Sequence, residues 1–196
     1  MRRLLEVEKQ TDNKYLNLYI ATYKVDGKKI RYEFASRRKE EDLAVFSDGK
    51  VKGDAVRIIP YYYENGKMKV VLIREFRNPI NSYLFGVPAG LIDEGEDADS
   101  AAKRELREEV GAEAIKLVKT DSASYSSAGM TDEAIVCYEA EIGEIGSQAL
   151  EESEDISVIV VDLEDLGVML DYENFGLQSR LQLRAFYYKH RGNVWK

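Results

Sequence analysis

Three glutamates, Glu105, Glu108 and Glu109, stand at positions i, i+3 and i+4. On a helix that spacing crowds their carboxylates together, and each like-charged pair costs roughly 0.2–0.5 kcal/mol unless something offsets it. Lys103, Arg104 and Arg107 offer one offset, which would make the group an ordinary solvated face. Clustered carboxylate oxygens are also what hard cations such as Mg²⁺ or Mn²⁺ require. Helix spacing alone leaves both readings open.

The stretch 90–112 that holds these glutamates reads as a loop, a helix and a stop. Asp97 or Asp99 caps the start by accepting from unpaired backbone N–H groups, the helix runs over about 98–110, and Gly111 takes the left-handed terminating position. Ala98, Ala102, Leu106 and Val110 recur every four residues and form the stripe that must be buried. Upstream, runs at 16–25 and 29–36 flank Asp26-Gly27, and runs at 55–63 and 68–77 flank Asn65-Gly66. Both pairs have the form of β-hairpins, because the turn glycine accepts positive φ without steric cost. A third short strand is expected at 43–46, ending at Asp48-Gly49. Further strands are expected at 83–87, 115–120, 134–142 and 157–162, with a helix over 177–188. Strands and helices mixed without βαβ alternation predict an α+β fold, or a mixed sheet flanked by helices. The chain divides on this reading into a small antiparallel β unit, 1–52, and a main domain, 53–196.

Composition narrows the function. The chain has 196 residues, enough for one good core and a small appendage. Its net charge is −8 and it has no long basic run, which argues against nucleic acid as a partner. An anionic substrate would meet the same repulsion, which divalent cations remove. The single cysteine, Cys137, excludes an internal disulfide and a four-cysteine zinc site. It lies in the apolar run 134–138 and reads as a buried strand thiol. The start turns polar too early for a signal peptide, and no apolar stretch approaches the roughly twenty residues of a membrane span, so a soluble cytoplasmic protein is expected. His190 is the only histidine, so no histidine pair is available as a general base.

Gly90, five residues, Glu96, seven residues, then Arg104-Glu105-Leu106-x-Glu108-Glu109-x-Gly111 resembles the Nudix box. Every defined position matches except the last, where Ala112 replaces a larger aliphatic residue. The resemblance implies an α/β/α sandwich around a mixed sheet and metal-dependent hydrolysis of a diphosphate linked to another moiety. By position it implies Glu105, Glu108, Glu109 and the backbone carbonyl of Ala89 as ligands of Mg²⁺ or Mn²⁺, with Glu105 and Glu109 foremost in catalysis. Gly90, Glu96 and Arg104 would brace the loop against the helix.

The length, the β unit ahead of the box and Ser126-Ser127-Ala128-Gly129-Met130-Thr131-Asp132-Glu133 behind it resemble the ADP-ribose pyrophosphatase branch. That branch usually has proline where Ala128 stands, so UDP-glucose, GDP-mannose or another ADP-sugar stays open beside ADP-ribose, as does a non-catalytic nucleotide sensor. The branch further implies a homodimer whose N-terminal units are exchanged and hold the nucleobase. Tyr32 and Arg37 match those positions, and Phe34 shares a strand face with Tyr32. Arg77 resembles an arginine close to the phosphates. A further glutamate on the loop before the last strand would orient or deprotonate the water: Glu154 first, Glu151 and Glu152 as reserves, Glu133 as a weaker competitor.

Overall fold

A computed structural model describes residues 2–192. Contacts divide the chain into two units, residues 1–54 with 123–135, and residues 55–122 with 136–196.

In the first unit, β1 (Arg2–Lys9), β2 (Asn17–Val25) and β3 (Lys28–Ser36) form an antiparallel sheet in that order. The β2–β3 turn has Asp26 at φ 47° and Gly27 at φ 83°, as the Asp-Gly pair predicts. Tyr19, Ala21, Phe34 and Leu43 make the core, with the Tyr19 and Phe34 rings stacked at 5.5 Å. β1 was not expected from the sequence. Its alternation is broken by a register shift between Leu4 and Glu6, and a bulge of this kind hides the period of two. The strand expected at 43–46 is corrected by the structure. Leu43 is buried, but Ala44–Phe46 is a 3₁₀ turn, closed by the Ser47 hydroxyl donating to the Ala44 carbonyl at 2.8 Å. The Ala44 N–H donates to Asp132 Oδ2 at 3.0 Å, so side-chain and local bonds take the place of a strand ladder. Segment 123–135 is knitted in further by the Ala35 N–H donating to the Met130 carbonyl at 2.9 Å.

The second unit is built on β4 (Ala55–Glu64), β5 (Lys67–Arg77), β6 (Ser82–Gly86), β7 (Ala89–Leu91), β8 (Ala114–Tyr125), β9 (Ala134–Ile142) and β10 (Ile156–Asp162). Their order is β10-β5-β4-β9-β8, with β6 on β5 and β7 on β4. The result is an α+β fold with a mixed sheet flanked by helices. Val70, Val71, Leu72 and Ile73 of β5 are all buried, because this inner strand is covered on both faces. The helices are α1 (Ala98–Glu105), continued by a π-helical segment (Leu106–Val110), then α2 (Leu163–Tyr172) and α3 (Leu177–His190). Ile59, Val70 and Leu72 pack with Leu166, Leu170, Leu183 and Phe186 in one core cluster. α2 was absent from the sequence reading, although Leu163, Leu166 and Leu170 recur at i, i+3 and i+7. Gly167 in its middle weakens that pattern.

Candidate active site

The carboxylate helix begins where Asp97 accepts from the Ser100 N–H at 2.8 Å. Asp99, the other capping candidate, instead accepts from the Tyr138 hydroxyl at 2.6 Å. Ala102, Leu106 and Val110 are fully buried, as the four-residue stripe requires, whereas Ala98 at its start is only part-buried. The helix ends at Gly111, φ 71°, with the Ala112 N–H donating to Leu106 O at 3.1 Å and the Gly111 N–H to Arg107 O at 3.0 Å. This is a left-handed helix stop, and a Cβ on Gly111 would also lie 2.6 Å from the Gly146 carbonyl oxygen.

Burial separates the three glutamates. Glu105 and Glu109 are 6% and 3% exposed, whereas the Glu108 side chain is 40% exposed. β7 runs over the buried pair. The Ala89 N–H donates to Glu109 Oε2 at 3.0 Å, and a Cβ on Gly90 would fall 1.9 Å from Glu105 Oε1. Any side chain at position 90 would therefore displace the Glu105 carboxylate. Burial, reinforced by Glu105, pushes the Glu109 carboxyl up to about 9. Burial also raises Glu105, against the opposing pull of Arg104.

Arg104 is the hub of the brace. It donates to Glu96 at 2.9 and 3.1 Å, to Glu105 at 2.7 Å, to Glu108 at 3.0 Å and to the Leu91 carbonyl at 2.8 Å. These bonds hold the Glu96 carboxyl below its ordinary range and the guanidinium firmly charged. Among the described residues, no three Asp, Glu, His or Cys side chains form a ready-made ligand cluster. The reason is visible in the bonding, since Glu105 and Glu108 are turned to Arg104 and Glu109 to the Ala89 amide. The donor set nevertheless suits a hard cation. Two buried carboxylates are pushed towards protonation, which is where a divalent ion supplies the missing positive charge.

Two more carboxylates act on this pair. Glu154 raises Glu105, Glu109 and Glu75 through its charge. Its own carboxylate accepts from the Glu151 N–H at 2.9 Å, while its N–H donates to Glu151 O at 3.0 Å. Glu151 and Glu152, the reserves, are exposed. Glu75 was missed by sequence reasoning. It is itself raised by burial, and it pairs with Arg77 at 2.8 Å. Its signal was its position two residues before Arg77 on one strand, which puts both on the same face.

Tyr32, Arg37 and Glu133 belong to the first unit. The Tyr32 hydroxyl donates to the Gly129 carbonyl at 2.7 Å, and Tyr32 lines a cavity of about 480 Å³ with Tyr23, Phe34, Tyr125, Ala128 and Asp132. Arg37 lies 3.8 Å from Glu133, which accepts from the Ser126 hydroxyl at 2.9 Å. Cys137 is half-buried and its thiol is raised by burial. His190 packs on Phe186 at 4.2 Å, and its Nε2 lies 3.6 Å from the Glu139 carboxylate. No helix among the described residues is long and apolar enough to cross a membrane.

The buried carboxylate pair, the Arg104 brace and the close approach of Gly90 all fall within one continuous stretch, residues 89–111. The NUDIX domain family matches residues 51–182, and the chain belongs to that family. It is a Nudix-type pyrophosphohydrolase acting on nucleotide-diphosphate-linked compounds, and the family generally uses divalent metal ions. The chain is similar to the ADP-ribose pyrophosphatase of Saccharomyces cerevisiae, 31% identical over 90% of this chain and 78% of that protein. It is 36% identical to the ADP-ribose pyrophosphatase of Bacillus subtilis, over 50% of this chain and 53% of that one. A crystal structure of an ADP compounds hydrolase shares the fold, with a TM-score of 0.73 at 22% identity over 98% of this chain and 97% of the other.

Proposed function

We propose that this enzyme hydrolyses the diphosphate of an ADP-linked sugar, ADP-ribose foremost, to AMP and ribose 5-phosphate. The observation that carries the reading is the buried Glu105–Glu109 pair under Gly90, with the charge of Glu154 acting on both. The two relatives named as ADP-ribose pyrophosphatases support the choice of substrate.

In this reading Glu105, Glu108, Glu109 and the Ala89 carbonyl hold Mg²⁺ or Mn²⁺. The ion supplies charge neutralisation at the phosphate oxygens and polarisation of water. Arg104 keeps the helix and the 90–96 loop in register through Glu96 and Leu91. Arg77 donates to a phosphate oxygen, and Glu75 holds its guanidinium in place. Glu154 accepts the proton of the attacking water, which breaks the phosphoanhydride P–O bond. The aromatic cavity beside Tyr32 takes the nucleobase by stacking, worth about 1–3 kcal/mol per base in nucleic-acid systems, and Arg37 of the same unit supplies a second contact. The assembly is a homodimer in the cytoplasm.

The test is product release from ADP-ribose, UDP-glucose, GDP-mannose, NADH and dinucleoside polyphosphates, with Mg²⁺ and with EDTA. Metal-dependent turnover highest on ADP-ribose is the expected result. A preference for UDP-glucose or GDP-mannose would overturn the substrate but keep the chemistry. Tight nucleotide binding without turnover would replace the enzyme by a sensor.

A further inference from the structure

Between β9 and β10 the chain crosses from the end of the carboxylate helix to the edge of β5, and Glu154 rides on this crossing. The segment is fastened at both ends by side chains that carry no part of the proposed chemistry. At the helix end, Gln148 Nε2 donates to the Glu109 carbonyl at 2.6 Å and to the Ile156 carbonyl at 3.4 Å. The Ala149 N–H donates to the Glu108 carbonyl at 2.8 Å and the Gly146 N–H to the Gly111 carbonyl at 2.9 Å. Gln148 thus joins two points that matter: the backbone of a buried site glutamate, and the residue where β10 begins. At the strand end, the Tyr83 hydroxyl donates to the Asp155 carboxylate, next to Glu154. The Phe76 N–H donates to the Asp155 carbonyl at 3.1 Å. The Tyr83 ring is itself fixed, with the Arg74 guanidinium 3.9 Å from its centroid and Phe76 edge-on at 5.2 Å.

We infer that Gln148 and Tyr83 are positioning residues, which together set where the Glu154 carboxylate stands relative to Glu105 and Glu109. The inference rests on Glu154 being the group that takes the proton of the water. Neither side chain touches the carboxylates of the buried pair, and both hold the short crossing that contains Glu154. A backbone turn bonded only to itself, Glu151 to Glu154, would wander with its segment. Tied through Gln148 to the helix and through Asp155 to Tyr83, it has a fixed origin. Proton transfer from a bound water tolerates little displacement, and about 1 Å of misplacement can cost roughly a hundredfold.

Tyr83→Phe removes the hydroxyl and keeps the ring between Arg74 and Phe76, so the fold is expected to survive. Gln148→Ala removes the other tie. For each variant we expect kcat on the preferred substrate to fall about tenfold, as a partial loosening, with KM within about twofold. Backbone amide exchange across 149–155 should quicken while the rest of the protein keeps its wild-type protection. Wild-type kcat in Tyr83→Phe, or a fall in kcat with unchanged exchange at 149–155, would overturn the inference. General loss of protection in Gln148→Ala would leave a merely structural cap and overturn its part as well. The exchange comparison needs no substrate. Failure of the proposed function therefore shows as a silent wild type, and failure of the tether as undisturbed amides. Glu154→Gln separates the remaining link, because kcat should fall with exchange across 149–155 at the wild-type level.

Discussion

Glu109 is held at 3% exposure with a backbone amide on one oxygen and other carboxylates for company. Replacing it by glutamine removes the charge and keeps the shape. Glu109→Gln is expected to fold with an unchanged or higher Tm and to lose about a hundredfold or more in kcat. Even groups that only support a metal ligand cost 10–100-fold. Wild-type turnover in that variant would remove Glu109 from the metal site. The same residue fixes the sign of a pH effect. Its folded carboxyl sits at about 9 against an ordinary 4.5, so the folded state binds the proton more tightly than the unfolded chain. The associated stability is full below about 4.5 and is lost as pH rises through about 9. With EDTA present, Tm should therefore decline between pH 5 and 9, less steeply in Glu109→Gln, and Mg²⁺ should recover most at the alkaline end. A flat Tm profile in the wild type would contradict this. The spacing of Glu105, Glu108 and Glu109 was legible in the sequence. The split between two buried carboxylates and a half-exposed Glu108 was not, because it depends on β7 crossing over the helix. Glu75 escaped for the same reason, since its strand reaches the site only through the sheet.

At the level of elements, local chemistry was a good guide wherever a turn or cap has its own residue signature. The Asp26-Gly27 and Asn65-Gly66 turns and the Asp97 and Gly111 ends all stand where their types predict. Gly111→Ala is expected to cost at least about 1–2 kcal/mol from the left-handed backbone alone. The Gly146 carbonyl at 2.6 Å from the added Cβ adds to this, and the urea midpoint reports the sum. Asp97→Ala should cost about 1 kcal/mol by the same measurement. A midpoint unmoved by Gly111→Ala would mean the helix end can rebuild elsewhere. The illegible elements share a cause, in that their pattern is set by distant partners. β1 owes its strand to pairing with β2 across a bulge. The 43–46 run has an apolar residue fixed in the core but finds its backbone partners in Asp132 and in its own turn. The π-helical widening at Leu106–Val110 has no sequence signature at all.

For the molecule as a whole, composition and the box pointed to the right family, and the mixed sheet flanked by helices is what they implied. What local patterns could not announce is that residues 123–135 pack with the first fifty-four. Ala35, Ala44 and Asp54 all bond into that segment. Deleting 1–52 should therefore leave 123–135 stripped of its partners, and the truncated chain is expected to be markedly less soluble on expression than the full one. A soluble, monodisperse truncation with wild-type Tm would show that the main domain needs nothing from the first unit. The proposed homodimer has a separate check in light scattering, which should give about twice 22.3 kDa.

The return of 123–135 to the first unit also sets a timetable for synthesis. The β1–β3 sheet leaves the ribosome early, but the residues that close its cavity and bond Ala35 and Ala44 come only after 55–122 have been made. At about 5–20 residues per second, that is a wait of several seconds. During that time the sides of Tyr23, Tyr32 and Phe34 that line the cavity lack the cover of Tyr125, Ala128 and Thr131, so the nascent chain carries an incompletely covered aromatic surface at its oldest end. Slowed translation between residues 55 and 122 should therefore increase chaperone capture of this protein, whereas slowing once 123–135 has left the ribosome should not.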